Sequence, residues 1–265
     1  MIADSKRGEL PGLSGGLRGW ALGGGQVQAL PGGGWRLAAP AGPAGAYRLA
    51  QIDDYGGLRR RAFPRRPGFS LALQARASHS VIPGTWGFGL WNEPFGMGVM
   101  NGGELLRLPA LPQSAWFFFA APPNYLSLRD DLPAQGGLAA VFRSRRIPTW
   151  LLAPGALGLP LLAWPRFGRL ARRLGRGVVR EAGAALSVDP TEWHAYHLEW
   201  GPDRCRLAID EQPVLETPLA PHGPLGIVIW LDNQFAAATP SGQFGWGTLD
   251  WEEAAWVEIR ELHLG

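Results

Sequence analysis

The sequence predicts an all-β fold: one large domain of packed antiparallel sheets, with a single helix set into it. Three observations carry this. Short runs alternate apolar and polar side chains with period two, the signature of half-buried strands. Gly and Pro, at 38 and 24 residues, are spread along the chain and punctuate those runs, as turns between strands require. Hydrophobic residues make up 46%, with 13 tryptophans, which is enough to bury a sizeable core and too much for disorder. A length of 265 residues is within reach of one sandwich domain.

Residues 1–18 read as a flexible lead-in and 19–265 as the single domain. Gly19 to Leu37 suggests short strands with turns at the glycine triplets 23–25 and 32–34, and Tyr47 to Asp53 is a further strand. Arg59 to Arg66 carries five arginines and Phe63, a solvated basic run or an anion contact. Gly68 to Ala77 alternates Phe69, Leu71, Leu73 and Ala75 against Ser70, Gln74 and Arg76. Thr85 to Trp91 follows, with glycines alternating against large apolar groups; glycine in a strand marks close approach of another chain segment or a ligand. Ser114 to Ala121 is continuously apolar, a strand buried on both faces. Tyr125–Leu128 and Gly137–Arg143 complete this half.

From Leu132 to Arg180 the chain has nine arginines and no Asp or Glu. The insertion spans about 148–182. Trp150 to Trp164 is apolar but broken by Pro154 and Pro160, too short and interrupted to span a bilayer. An amphipathic helix is expected around 161–182. Trp164, Phe167, Ala171, Leu174 and Val178 share one stripe, and Arg166, Arg169, Arg173, Arg176 and Arg180 fall nearly opposite. Two readings stand side by side. The helix packs on the sheet with its arginines outward, or it lies on an anionic membrane, with Trp164, Phe167, Arg169, Arg173 and Arg176 as contact residues.

The best hairpin is Trp193–Trp200 (WHAYHLEW), a Gly201-Pro202-Asp203 turn, and Arg204–Asp210. Short strands follow at Pro213–Thr217 and Gly226–Asp232. Residues 236–249 read as a loop, and Ala255–Leu264 as the closing strand.

Three pieces resemble the concanavalin A-like lectin/glucanase superfamily, and within it the family 16 glycoside hydrolases. They are the hairpin Trp193–Asp203 with Leu207–Asp210, the final strand Ala255–Leu264, and the pair Leu73–Ala77 with Gly84–Trp91. The resemblance implies a two-sheet antiparallel jelly roll with ligand crossing the concave face. It also implies an ExDxxE strand whose outer glutamates lie about 5 Å apart for retaining hydrolysis. By order that strand is Ser114–Ala121, which has no carboxylate. Asp130 and Asp131 are adjacent and would face opposite ways. Retaining hydrolysis by the family mechanism is therefore not expected.

Two functions remain. The first is a non-hydrolytic binding module for a glycan. Its ligand residues would be Trp91, Asn92, Trp116, Phe118, Tyr125, Trp230 and Asn233, because aromatic platforms stack on sugar rings. The second is an enzyme or carrier for a lipophilic isoprenoid or lipid, with Glu93 or Asp232 as a buried acid. No cofactor and no metal site is expected: Cys205 is the single cysteine, and His194 and His197 point to opposite strand faces. No Walker loop, dinucleotide fingerprint or G-x-S-x-G elbow is present. Net charge is +3, and Lys6 is the only lysine among 25 basic residues; no nucleic-acid partner is expected. Met1 to Leu17 has no apolar run after Lys6 and Arg7, so no secretory signal is expected. That reading places the chain in the cytoplasm, peripheral to the inner face of the membrane if the basic helix meets lipid.

Overall fold

The computed structural model describes residues 6–8, 16–95, 107–148 and 159–265. Among these, seventeen strands and one α-helix follow in order. The strands of the first half are β1 (Lys6–Gly8), β2 (Arg18–Leu22), β3 (Gln26–Ala29), β4 (Trp35–Ala39), β5 (Leu49–Asp53), β6 (Phe69–Ala77), β7 (Thr85–Trp91), β8 (Gln113–Ala120) and β9 (Gly136–Ser144). After α1 (Pro165–Val178) come β10 (Val179–Ala185), β11 (His194–Trp200), β12 (Cys205–Ile209), β13 (Gln212–Thr217), β14 (Gly226–Asp232), β15 (Gln234–Ala238), β16 (Phe244–Thr248) and β17 (Ala255–Leu264).

The strands form a two-sheet antiparallel jelly roll. One sheet has eight strands, in the order β1-β2-β5-β14-β7-β8-β9-β10, and the other seven, β13-β12-β11-β6-β17-β4-β3. Period-two patterning decides which side chains meet between them. Trp86, Phe88 and Leu90 of β7, Ala115, Phe117 and Phe119 of β8, and Ile227, Ile229 and Leu231 of β14 face inward. Opposite them stand Leu71, Leu73 and Ala75 of β6, Tyr196, Leu198 and Trp200 of β11, and Cys205, Leu207 and Ile209 of β12. Within this core Trp86 stacks on Phe119 at 3.9 Å between centroids and 2° between planes. The hairpin β11–β12 pairs Tyr196 with Ile209 and Trp200 with Cys205, and its faces alternate as the sequence predicts. Burial pushes the Cys205 thiol up to about 12, which fits a small buried hydrophobe.

Four expectations need correction. Tyr125–Leu128 is no strand; Tyr125 makes only an isolated parallel bridge to Ala237. Residues 236–249 are not a plain loop, because β15 and β16 pair there. The helix stops at Val178, and the next residues enter β10, which pairs with β9 from Val179↔Ser144 to Ala185↔Leu138. The small residues of β10 carry little hydrophobic contrast, so its period was weak in sequence. The expected apolar stretch 150–164 falls mostly outside the described residues, as does most of the lead-in.

The fourth correction is the orientation of α1. Of its residues, Gly168 and Arg172 are buried, while Trp164, Phe167, Leu170 and Leu174 are 55%, 38%, 48% and 64% exposed. The apolar stripe faces outward instead of inward, while the arginines expected outward, Arg166, Arg169, Arg173 and Arg176, are exposed as well; the buried arginine is Arg172, which belongs to neither stripe. Gly168 makes this docking possible: a Cβ there would stand 1.9 Å from the Gly242 carbonyl oxygen. Arg172 spreads its guanidinium over the Ser127 and Ala238 carbonyls at 2.5 Å and Asp130 at 2.6 Å. Arg176 bonds Asp130 and the Leu128 carbonyl, and Arg169 the Ser241 carbonyl. Buried carbonyls must find donors, and these arginines supply them.

Candidate functional site

The outer face of the eight-stranded sheet carries a second apolar cluster. Register builds it row by row. One row runs Gln51–Trp230–Gly87–Phe118–Leu138, and the next runs Asp53–Val228–Gly89–Trp116–Ala140. A third runs Gly226–Trp91–Ser114–Phe142. Two of these glycines, Gly87 and Gly226, leave room that an aromatic ring takes. A Cβ on Gly87 would meet the Trp230 ring at 2.9 Å, and one on Gly226 would meet the Tyr55 ring at 2.4 Å. Of the strand glycines noted in sequence, Gly87 therefore marks close approach of a tryptophan ring and Gly89 that of the neighbouring strand's backbone.

Four predicted aromatic residues come together here. Trp91 lies parallel to Trp230, 6.3 Å away and 2° between planes. Trp116 sits 6.0 Å from Trp91 and 5.6 Å from both Trp230 and Phe118. Phe118 and Trp230 are buried, whereas Trp91 and Trp116 remain half-buried. Beside them are polar atoms without partners. The Ser114 hydroxyl and the Trp116 Nε1–H are buried and make no hydrogen bond among the described residues. Such groups cost free energy unless something meets them.

Asp232 ends β14 on the same face as Trp230. Its carboxylate accepts from the Thr85 hydroxyl at 2.7 Å and from the Tyr47 hydroxyl at 3.2 Å. The Thr85 oxygen in turn accepts from the Trp230 indole at 2.9 Å. Burial pushes the Asp232 carboxyl up to about 7, against the lowering effect of these hydrogen bonds. Such a group can hold or release a proton near neutrality.

The other predicted residues do different work. Asn92 spans the loop before β8, donating to the Leu111 carbonyl and accepting from the Gln113 amide. Asn233 accepts from the Arg48 amide and donates to the Ala46 and Leu249 carbonyls. Tyr125 lies beneath Arg172, whose guanidinium sits 5.2 Å from the ring centroid. Glu93 is buried at a φ of +50°, 3.5 Å from both Arg60 and Arg107. These four are tied into the scaffold. Sequence reading passed over Ser114, Thr85, Tyr47, Tyr55 and Phe142. Ser114 and Thr85 could have been found from alternation alone, because they share a strand face with Trp116 and Trp91.

No metal-binding cluster of His, Cys, Asp or Glu is found among the described residues. No family model matches the chain, and no curated protein does. Solved structures do share the fold. A family 16 endo-glucanase from Bacteroides ovatus, solved in complex with G4G3G-2F-DNP, aligns with a TM-score of 0.50 at 10% identity, over 100% of this chain and 94% of that one. A glycoside hydrolase family protein from Mycobacterium thermorestibile aligns with a TM-score of 0.46 at 12% identity, over 91% and 79%. The carbohydrate-binding module CBM66 from Bacillus subtilis aligns with a TM-score of 0.38 at 9% identity, over 91% of each. What the chain shares with the endo-glucanase is the fold, a two-sheet antiparallel jelly roll.

Proposed function

We propose that this chain is a glucanase-like β-sandwich that binds a glycan on the outer face of its eight-stranded sheet without hydrolysing it. The observation that carries the reading is the half-buried pair Trp91 and Trp116 beside the unpartnered Ser114 hydroxyl and Trp116 indole N–H. Aromatic faces stack on sugar rings, and a few unmet polar groups orient them. The fold shared with an endo-glucanase supports the ligand class. That it does not hydrolyse is inferred from chain order, by which β8 is the strand expected to carry the acids: its outward positions are Ser114, Trp116, Phe118 and Ala120, with no carboxylate pair for a retaining mechanism.

The test is glycan-array screening followed by calorimetry on the best oligosaccharide. Trp91→Ala is expected to abolish measurable binding. Trp116→Phe keeps the ring and loses the N–H; together with Ser114→Ala it should weaken binding several-fold, as a lost hydrogen bond does. An array with no hit sinks the reading. So does binding that Trp91→Ala leaves intact.

One observation favours a second reading, a lipophilic ligand such as an isoprenoid or lipid. Phe118 and Trp230 are almost fully buried, and the Asp232 carboxyl beside Trp230 is pushed up to about 7. Quenching of tryptophan emission by long-chain prenyl alcohols, with no glycan response, would select it.

A further inference from the structure

Among the described residues, half of the exposed large hydrophobic side chains lie on one short segment: Leu161, Trp164, Phe167, Leu170 and Leu174. The segment is α1 and the turn before it. At about 100° per residue, Phe167, Leu170 and Leu174 fall within about 60° of the helix circumference. The docked residues Gly168, Arg172 and Gly175 fall nearly opposite. The apolar ridge therefore points away from the body, along a helix of 14 residues, about 21 Å long. Trp164 and Phe167 meet edge to face at 6.4 Å at its start.

Charge beside the ridge says what covers it. Arg166 and Arg173 lie along one edge, both exposed. Neither makes an ion pair or hydrogen bond among the described residues, unlike Arg169, Arg172 and Arg176, which hold the helix to the body. No Asp or Glu occurs from Leu132 to Arg180. An apolar ridge bordered by unpaired cations matches the boundary between acyl chains and anionic headgroups. A symmetric contact with a second copy would bring these arginines toward one another, with no acid in the segment to offset them. Nucleic acid would leave the ridge in water.

We propose that α1 is an interfacial element that seats the protein on an anionic lipid bilayer. The ridge of Trp164, Phe167, Leu170 and Leu174 enters the headgroup region, and Arg166 and Arg173 meet phosphate. No helix of the described residues is long and apolar enough to cross a membrane, so the contact is in-plane. This surface shares no residue with the aromatic face above, and the two proposals stand or fall separately.

Co-sedimentation of the full chain with vesicles of phosphatidylglycerol and phosphatidylcholine, 1:1, tests it against phosphatidylcholine alone. Binding is expected on the anionic vesicles and not on the neutral ones. Arg166→Glu with Arg173→Glu should weaken it by at least about tenfold, from the contribution of single cations near such a surface. Phe167→Ser with Leu174→Ser should weaken it by at least about tenfold with net charge unchanged. Both pairs are exposed and should keep the wild-type far-ultraviolet spectrum. Wild-type protein left in the supernatant overturns the proposal. Binding indifferent to the Phe167/Leu174 pair overturns it too, because that is plain adsorption of a basic protein. A dimer in analytical ultracentrifugation that Phe167→Ser with Leu174→Ser dissociates would assign the ridge to a second copy instead.

Discussion

Asp232 shows how one residue turns burial into a measurable property. Its carboxyl is pushed from 3.8 up to about 7 by desolvation beneath Thr85 and Tyr47. The folded protein holds this proton over a pH range in which the unfolded chain has released it. Stability from this group is therefore complete below about pH 4, is lost as pH rises toward 7, and is level above that. The gap corresponds to at most about 4 kcal/mol. Asp54 acts in the same direction, its carboxyl being pushed up to about 6 mainly by burial, so the single variant Asp232→Asn isolates the effect. That variant should be more stable than wild type at pH 8 and closely similar at pH 4 in urea titrations; equal stability at both pH values would refute the assignment. None of this was legible beyond the bare candidacy of Asp232. Its partners come from β7 and from the chain just before β5, far away in sequence.

At the scale of the element, α1 separates pattern from placement. Its two stripes were visible as spacings of three and four residues, and the helix forms where they run. Periodicity says that two faces differ and not which one docks. The choice was made by Gly168, whose missing side chain lets the helix backbone approach Gly242, and by Arg172, which feeds the Ser127 carbonyl and that of Ala238 at the end of β15. Gly168→Ala should therefore destabilise the protein even though alanine favours an isolated helix by about 1 kcal/mol. Arg172→Ala leaves the Ser127 and Ala238 carbonyls without this donor, and a cost of about 2–4 kcal/mol is expected in denaturant titrations. Hydrogen–deuterium exchange should show 165–178 opening before the sheets do in both variants. Unchanged protection of α1 would mean that the docking contacts carry no stability. The hairpin β11–β12 is the opposite case: alternation and a Gly-Pro-Asp turn specified both its register and its buried face.

The whole molecule is organised by one sheet with two apolar faces. Strands β5, β7, β8, β9 and β14 supply side chains to the inter-sheet core and to the outer cluster alike. Neither cluster can come apart without disturbing the strands of the other. Thermal unfolding followed by tryptophan emission and by far-ultraviolet circular dichroism should therefore give coincident transitions; two separated midpoints would show that the outer cluster melts alone. The sequence by itself determined the all-β class, most strands, the alternating faces of strands such as Phe69–Ala77 and the 193–210 hairpin, the helix, and the lack of a carboxylate pair on the strand from Ser114. These are properties of local period and residue chemistry, readable over a few consecutive residues. Only the tertiary structure decided that Trp91, Trp116, Phe118 and Trp230 form one cluster while Asn92, Asn233, Tyr125 and Glu93 brace the scaffold. It also decided that the ridge of α1 faces outward. Those outcomes depend on register between distant strands and on how closely two backbones can approach. Such contacts join residues far apart along the chain, as Tyr47 and Asp232 are joined, 185 residues apart, and no local pattern encodes them.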